Sequence, residues 1–398
     1  MTHHALLSAC LIATLTTGVA LAQTSTETKE SPAATSSPVA YVYVQTSTGV
    51  NVYDATAAGK LTLVKGSPFA LTGLMSGNNG KYLIGVGTDD IHTYTIESNG
   101  AVGKQASEID TQKYSGAACG DTDHQGGKLD HTGTYLYVPL WGITNGTAFP
   151  ECAALQTYKL ASNGELTFLG DTESFDGQHQ GAYPIGVATI SSNDKLAYGV
   201  QGQPGATVYL AYKADSAGAQ ILNATFTVTG PTFNPALQSG NYAPLNIAAD
   251  PSSHLAVLVN EPFTNGPPPQ LASFTINDST GSITSTNKWT DMPTPTVNPG
   301  LLSMSPSGKL LAVGGAPGLQ IFHFNGADPI TSYSGVLLPS VLIDAMYWDN
   351  SNHLYAISYQ SQELYVLTVT SSTISQAAGS PYKVNLASDQ YGLIVVPK

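Results

Sequence analysis

From Ala40 onward the chain repeats one unit: a polar turn, an apolar strand, a second strand of alternating character and a shorter third strand. The turn is clearest at Asn79-Gly80-Lys81 before Tyr82–Val86, at His131–Thr134 before Tyr135–Val138, and at Ser305–Lys309 before Leu310–Val313. Shorter versions stand at 193–195, 251–254 and 350–353, and Tyr41–Val44 opens the series. Gly, Asn and Asp occupy the turn positions where a hairpin needs positive φ. The apolar strands begin near 41, 82, 135, 196, 255, 310 and 354, spaced by 41, 53, 61, 59, 55 and 44 residues.

Seven copies, several strands each, at a period of about 40–60 residues predict an all-β protein, a seven-bladed β-propeller. An inner strand is expected before each hairpin turn, as in Ile185–Ile190 and Leu245–Ala249. The first copy lacks one, and the chain ends in an unpartnered apolar run, Tyr391–Val396. That run is predicted to pair into blade 1 and close the ring, removing its open edge. Composition agrees. Charged residues make up 10% of the 398, against roughly a quarter in ordinary domains, too few for the wet faces of long surface helices. The net charge is −13 and every one of the 14 cationic residues is Lys, with no Arg. A chain so poor in cations is not expected to bind nucleic acid.

The first 38 residues read as address and tether. Ala5–Ala22 is apolar and uncharged and ends in Ala20-Leu21-Ala22, which predicts a signal peptide over 1–22 cleaved before Gln23. Leu7-Ser8-Ala9-Cys10 resembles a lipobox, so lipid or membrane anchoring outside the cytoplasm is the alternative to a secreted or periplasmic protein. Residues 23–38 are rich in Ser, Thr and Pro and read as a flexible linker, leaving 39–398 as the propeller. No membrane span remains after cleavage. Cys119 and Cys152 are then the two remaining cysteines, and in an exported chain they are expected to form a disulfide.

Gly66-Ser67-Pro68-Phe69 and Gly379-Ser380-Pro381-Tyr382, each ending a blade, resemble the links of bacterial lactonase-type, YVTN-like propellers. Ser305-Pro306-Ser307-Gly308-Lys309 resembles a turn of the same group. The resemblance covers about residues 40–398 and implies the fold; it suggests 6-phosphogluconolactonase-like or carboxymuconate-cyclase-like chemistry. A phosphosugar substrate is disfavoured, because Arg is the usual bidentate phosphate partner and none is present.

Two clusters carry candidate chemistry, Asp121-Thr122-Asp123-His124-Gln125 and Asp176-Gly177-Gln178-His179-Gln180. Both are expected in links between blades, on the face that also carries the long insertions at 139–153 and 261–269. Between Glu108 and Asp176 lie ten acids and three lysines, a net charge of −7. Asp121, Asp123, His124, Asp176 and His179 are the candidate ligands for a divalent cation. His124 and His179, with Asp123 and Asp176, are the candidate acid–base residues for attack on a lactone carbonyl. No HExxH, EF-hand or CxxC pattern accompanies them, and no haem or quinone motif is present. The remaining histidines read as structural, His131, His254 and His353 in inner turns and His92 and His323 between blades. The leading expectation is an exported binding or scaffold module, monomeric, taking a small molecule, saccharide or protein on its insertion-bearing face. The alternative is a lactonase-like hydrolase.

Overall fold

In the computed structural model, residues 37–71, 73–111, 122–124, 126–142, 152–173, 187–200, 209–223, 225–237, 240–261, 267–386 and 392–398 are described. Seven antiparallel sheets follow one another in chain order, each a blade of four main strands. The second strands are Ala40–Thr46, Tyr82–Val86, Tyr135–Gly142, Leu196–Val200, His254–Asn260, Leu310–Ala316 and His353–Ser358, as the repeat predicts. Ring closure is also borne out. Leu393–Pro397 pairs antiparallel with Ala40–Val44 and supplies the inner strand of blade 1. Blade 5 adds a short strand, Val228–Thr229, lying parallel to Ile283–Thr284, which the repeat did not foretell.

The cores lie between blades. Each middle strand is buried on both faces, so its side chains alternate between the blade before and the blade after. At the closure, Val42, Val44 and Val395 of blade 1 pack against Tyr355, Ile357 and Val366 of blade 7. The links that suggested the lactonase-type resemblance have a mechanical role. Ser67 Oγ accepts from Val52 N at 3.1 Å, and Ser380 Oγ accepts from Val366 N at 2.9 Å. In each case a link serine caps a third-strand amide just beyond the reach of the outer strand.

A second recurring contact joins neighbouring blades. The outer hairpin of a blade carries a positive-φ glycine, and the start of the preceding blade's second strand lies over it. A Cβ on Gly100 would fall 2.3 Å from the Tyr41 ring, on Gly164 2.6 Å from Tyr82, and on Gly218 2.3 Å from Tyr135. Leu196 over Gly281, His254 over Gly326 and His353 over Gly59 repeat the contact at 3.1–3.3 Å. Hydroxyls tie down the same hairpins: Tyr43 Oη donates to Gly100 O at 2.6 Å, Thr93 Oγ1 to Gly164 O at 2.6 Å and Tyr198 Oη to Gly281 O at 2.9 Å. Between blades 6 and 7 the glycine is missing, and Tyr333 Oη donates to Thr370 O at 3.0 Å instead.

Gly100 and Gly80 separate the two demands on such a glycine. Both have φ near +80°, but nothing lies within 4 Å of a Cβ on Gly80. Gly80→Ala is expected to lose only the left-handed backbone term, about 1–2 kcal/mol. Gly100→Ala is expected to lose about 1–3 kcal/mol more through overpacking against Tyr41. Denaturant midpoints of the two variants check this; equal losses would remove the ring–glycine contact as a source of stability.

Candidate ligand site in the central channel

The inner strands surround a channel, and their hairpin-side ends enclose a cavity of about 670 Å³. All seven blades contribute, from Met75–Asn78 in blade 2 round to Leu393 and Ile394 in blade 1. Seven twisted sheets packed face to face leave their inner edges converging without meeting, which makes this cavity a consequence of the blade number. Its lining mixes apolar groups, such as Met304 and Met346, with Ser76, Asn78, Ser303, Lys128 and Tyr347.

Lys128 stands on the inner strand of blade 3. That strand runs in two pieces, Thr122–His124 and Lys128–Leu129, both paired with Tyr135–Gly142. Gly126, at φ +78°, lies between them. Leu129 packs into the core between blades 2 and 3, and Lys128 is exposed to the lumen. Lys128 is accessible within the lumen, and the blades packed around it partly desolvate its amine, which lowers its pKa from the ordinary 10.5. Tyr347, on the inner strand Ala345–Trp348 of blade 7, is likewise 38% exposed to the lumen, and enclosure raises its phenol above 10.0.

The carboxylates near the lumen are already engaged. Asp130 is buried, and its Oδ1 accepts from Thr134 N at 2.7 Å and Tyr135 N at 3.0 Å while Oδ2 accepts from Thr132 Oγ1 at 2.6 Å. Asp250 Oδ1 accepts from Ser252 N and His254 N, each at 2.8 Å, and Oδ2 lies 3.0 Å from His254 Nδ1. Asp349 repeats the arrangement with His353, whose Nδ1 is 2.7 Å from Oδ2, and Tyr355 Oη donates to the same oxygen at 3.0 Å. Burial pushes the Asp349 carboxyl up, and hydrogen bonds from His353 and Ser351 outweigh it and hold it below the ordinary range. His254 and His353 are therefore more than turn residues; they brace the carboxylate that shapes each hairpin. His131 Nδ1 reaches Asp194 Oδ1 in the hairpin of the next blade, at 2.7 Å. Among the described residues Lys128 is the one lysine lining the cavity, which His131 also lines.

The clusters singled out in the sequence are described only in part. Asp121, Asp176, His179 and Cys119 lie outside the described residues. Of Asp123, His124 and Cys152 only the backbone is described. Cys152 opens the third strand of blade 3 opposite Gly142, and the expected Cys119–Cys152 disulfide is outside the description. Asp123 and His124 are placed differently from the expectation. They sit within the inner strand, opposite Trp141 and Leu140, because pairing continues beyond the Gly126 break rather than ending in a link. The strand reading of this segment was missed since only three residues pair and none is β-branched after Thr122. Lys128 itself left no sequence signal beyond its place near the acidic stretch. Trp348 is buried between blades, its Nε1 donating to Ser303 O at 3.1 Å. His92 is buried on a third strand, as expected.

No protein-family model matches the sequence, and no curated protein matches it. Solved structures do share the fold. A protein of unknown function from Desulfotomaculum acetoxidans is 13% identical, aligned over 90% of this chain and 99% of its own, with a TM-score of 0.55. A Lactobacillus plantarum protein is 13% identical over 89% and 99% of the two chains, with a TM-score of 0.54. A Bacteroides fragilis chain named as a candidate 6-phosphogluconolactonase aligns over 90% and 98% at 13% identity, with a TM-score of 0.39. The likeness to the first two is one of fold. No helix among the described residues is long and apolar enough to cross a membrane.

Enclosing Lys128 works against folding. Between its lowered folded pKa and the ordinary 10.5, the unfolded chain binds more protons than the folded one, so the penalty is full at low pH and fades as pH rises. Lys128→Met is accordingly predicted to raise the midpoint of thermal unfolding at pH 7, with the gain shrinking towards pH 10. A lower midpoint at pH 7 would mark the amine as a structural partner instead.

Proposed function

We propose that this propeller binds a small carboxylate-bearing molecule in its central channel, with Lys128 as the counter-charge. The observation that carries the reading is a lysine on an inner strand that lines a cavity of about 670 Å³ to which all seven blades contribute. A side chain that burdens the fold in this way is most readily explained by what it binds. A carboxylate reaching the amine favours its charged form and so works against the lowering of its pKa, with Ser76, Asn78 and Ser303 lining the same cavity. Against a chain of net charge −13, one cation inside the ring selects for a single acid group rather than a polyanion. The binding reading of the sequence is kept, but its place moves from the insertion-bearing face to the hairpin-side end of the channel.

A second reading rests on the same amine. Lys128 in its uncharged form is a base of the kind that activates water against a lactone carbonyl, which would make the protein a lactonase-like hydrolase. Export through a signal peptide over residues 1–22 belongs to both readings, and the mature protein would begin at Gln23.

A thermal-shift panel of small mono- and dicarboxylates separates the readings when run beside a panel of uncharged lactones assayed for ring opening. The binding reading predicts that at least one carboxylate raises the unfolding midpoint of the wild type and not of Lys128→Met. Its effect should fade as pH rises through the range in which Lys128 loses its proton. Lactone turnover abolished in Lys128→Met would favour the hydrolase. Carboxylate shifts of equal size in both proteins would overturn the role given to Lys128.

A further inference from the structure

A second constellation lies away from the channel, on blade 2. The third strand Asp90–Ile96 alternates its faces: Ile91 packs towards blade 3, whereas Tyr94 packs into the core shared with blade 1. Asp90 and His92 stand on the Tyr94 side. In the outer strand Val102–Asp110, Glu108 is the register partner of His92. One ligand atom from each of Asp90, His92 and Glu108 can be chosen so that all lie within 4.8 Å of one another.

His92 is 4% exposed, and neither ring nitrogen makes a hydrogen bond. Asp90 Oδ1 lies 3.0 Å from Nε2 and Glu108 Oε2 lies 3.8 Å from Nδ1, close in distance but not aligned for donation. A buried imidazole left in this way loses its hydration without replacement. Asp90 faces Nε2 and Glu108 faces Nδ1, so a cation taking one ring nitrogen meets one carboxylate where it stands and draws the other round to it. The surroundings accommodate such a role. Gln105 Nε2 donates to Glu108 Oε2 at 3.0 Å, the oxygen that faces His92 Nδ1, and leaves Oε1 for a cation. Gly87 leaves room for Asp90, since a Cβ there would fall 2.2 Å from Oδ1.

We propose that Asp90, His92 and Glu108 bind one divalent transition-metal cation of the zinc class. An imidazole with two carboxylates is a borderline N/O set, which late first-row cations prefer and which suits calcium or magnesium poorly. Three protein ligands leave a fourth, tetrahedral position open to water, and with it the capacity to activate that water. The site is independent of Lys128 and of the channel.

The test is equilibrium dialysis of untagged, chelator-treated protein against zinc, calcium and magnesium chlorides, with metal measured by mass spectrometry and the unfolding midpoint followed in parallel. The wild type is expected to bind one zinc more tightly than Glu108→Gln by roughly tenfold or more, with calcium and magnesium far weaker. The Glu108 side chain is 57% exposed, so this variant should fold normally. Glu165→Gln, an exposed acid of blade 3, should bind as the wild type does. The zinc-induced rise in midpoint should shrink in Glu108→Gln and vanish in His92→Gln. Equal zinc affinity in wild type and Glu108→Gln, or no zinc bound by the wild type, would overturn the proposal.

Discussion

The ring depends on a glycine that has no side chain because its neighbour's side chain is already there. At six of the seven blade interfaces an outer-hairpin glycine lies beneath the start of the previous blade's second strand, under Tyr41, Tyr82, Tyr135, Leu196, His254 or His353. The contact fixes both the spacing and the stagger of adjacent blades. Tyrosine and threonine hydroxyls donating into the same hairpins, as from Tyr43 to Gly100 and Thr93 to Gly164, add direction to what packing supplies. Neutral donors serve these interfaces, so the chain can hold seven blades together with few ion pairs. The scarcity of charge noted in the sequence and the chain's 21 tyrosines are two aspects of one design. Closure by Leu393–Pro397 completes it, because without that strand blade 1 would present an unpaired edge to the channel.

Blade spacing in turn sets the channel. With the hairpins braced by Asp130, Asp250 and Asp349, the inner strands are held at a distance that leaves a cavity, and those acids are removed from its chemistry. What is left for the lumen is a lysine, a tyrosine, small polar groups and methionines. Desolvation acts on Lys128 and Tyr347 in opposite senses on the pKa scale, lowering the first and raising the second, and a carboxylate beside the amine would offset its part of that cost.

Much of the fold was legible because it repeats. Hairpin turns such as Asn79-Gly80-Lys81, the alternating third strands and the unpartnered run at the C-terminus each follow from local chemistry, and seven copies reinforce one another. The link serines Ser67 and Ser380 were visible as a motif, though only the structure shows which amides they cap. The sites were far less legible. A lysine in a strand edge looks the same in sequence whether it faces water or a channel, so Lys128 gave no signal. Asp90-x-His92 places two ligand types on one face of a strand, but Glu108 joins them only through the register of the outer strand, which a bulged pairing obscures. Asp123 and His124 were noticed for their residue types, and the structure gives them positions on the channel-lining strand rather than in a link.

The central claim is that the Lys128 amine meets a carboxylate inside the ring. It is tested most directly by NMR of protein whose lysines carry ¹³C-methyl groups, with the Lys128 resonance assigned by its loss in Lys128→Met. The account predicts that this resonance titrates below the ordinary lysine range in the free protein and moves to higher pH when a carboxylate that raises the unfolding midpoint is added. A Lys128 resonance with an ordinary titration, or one unmoved by that ligand, would contradict it.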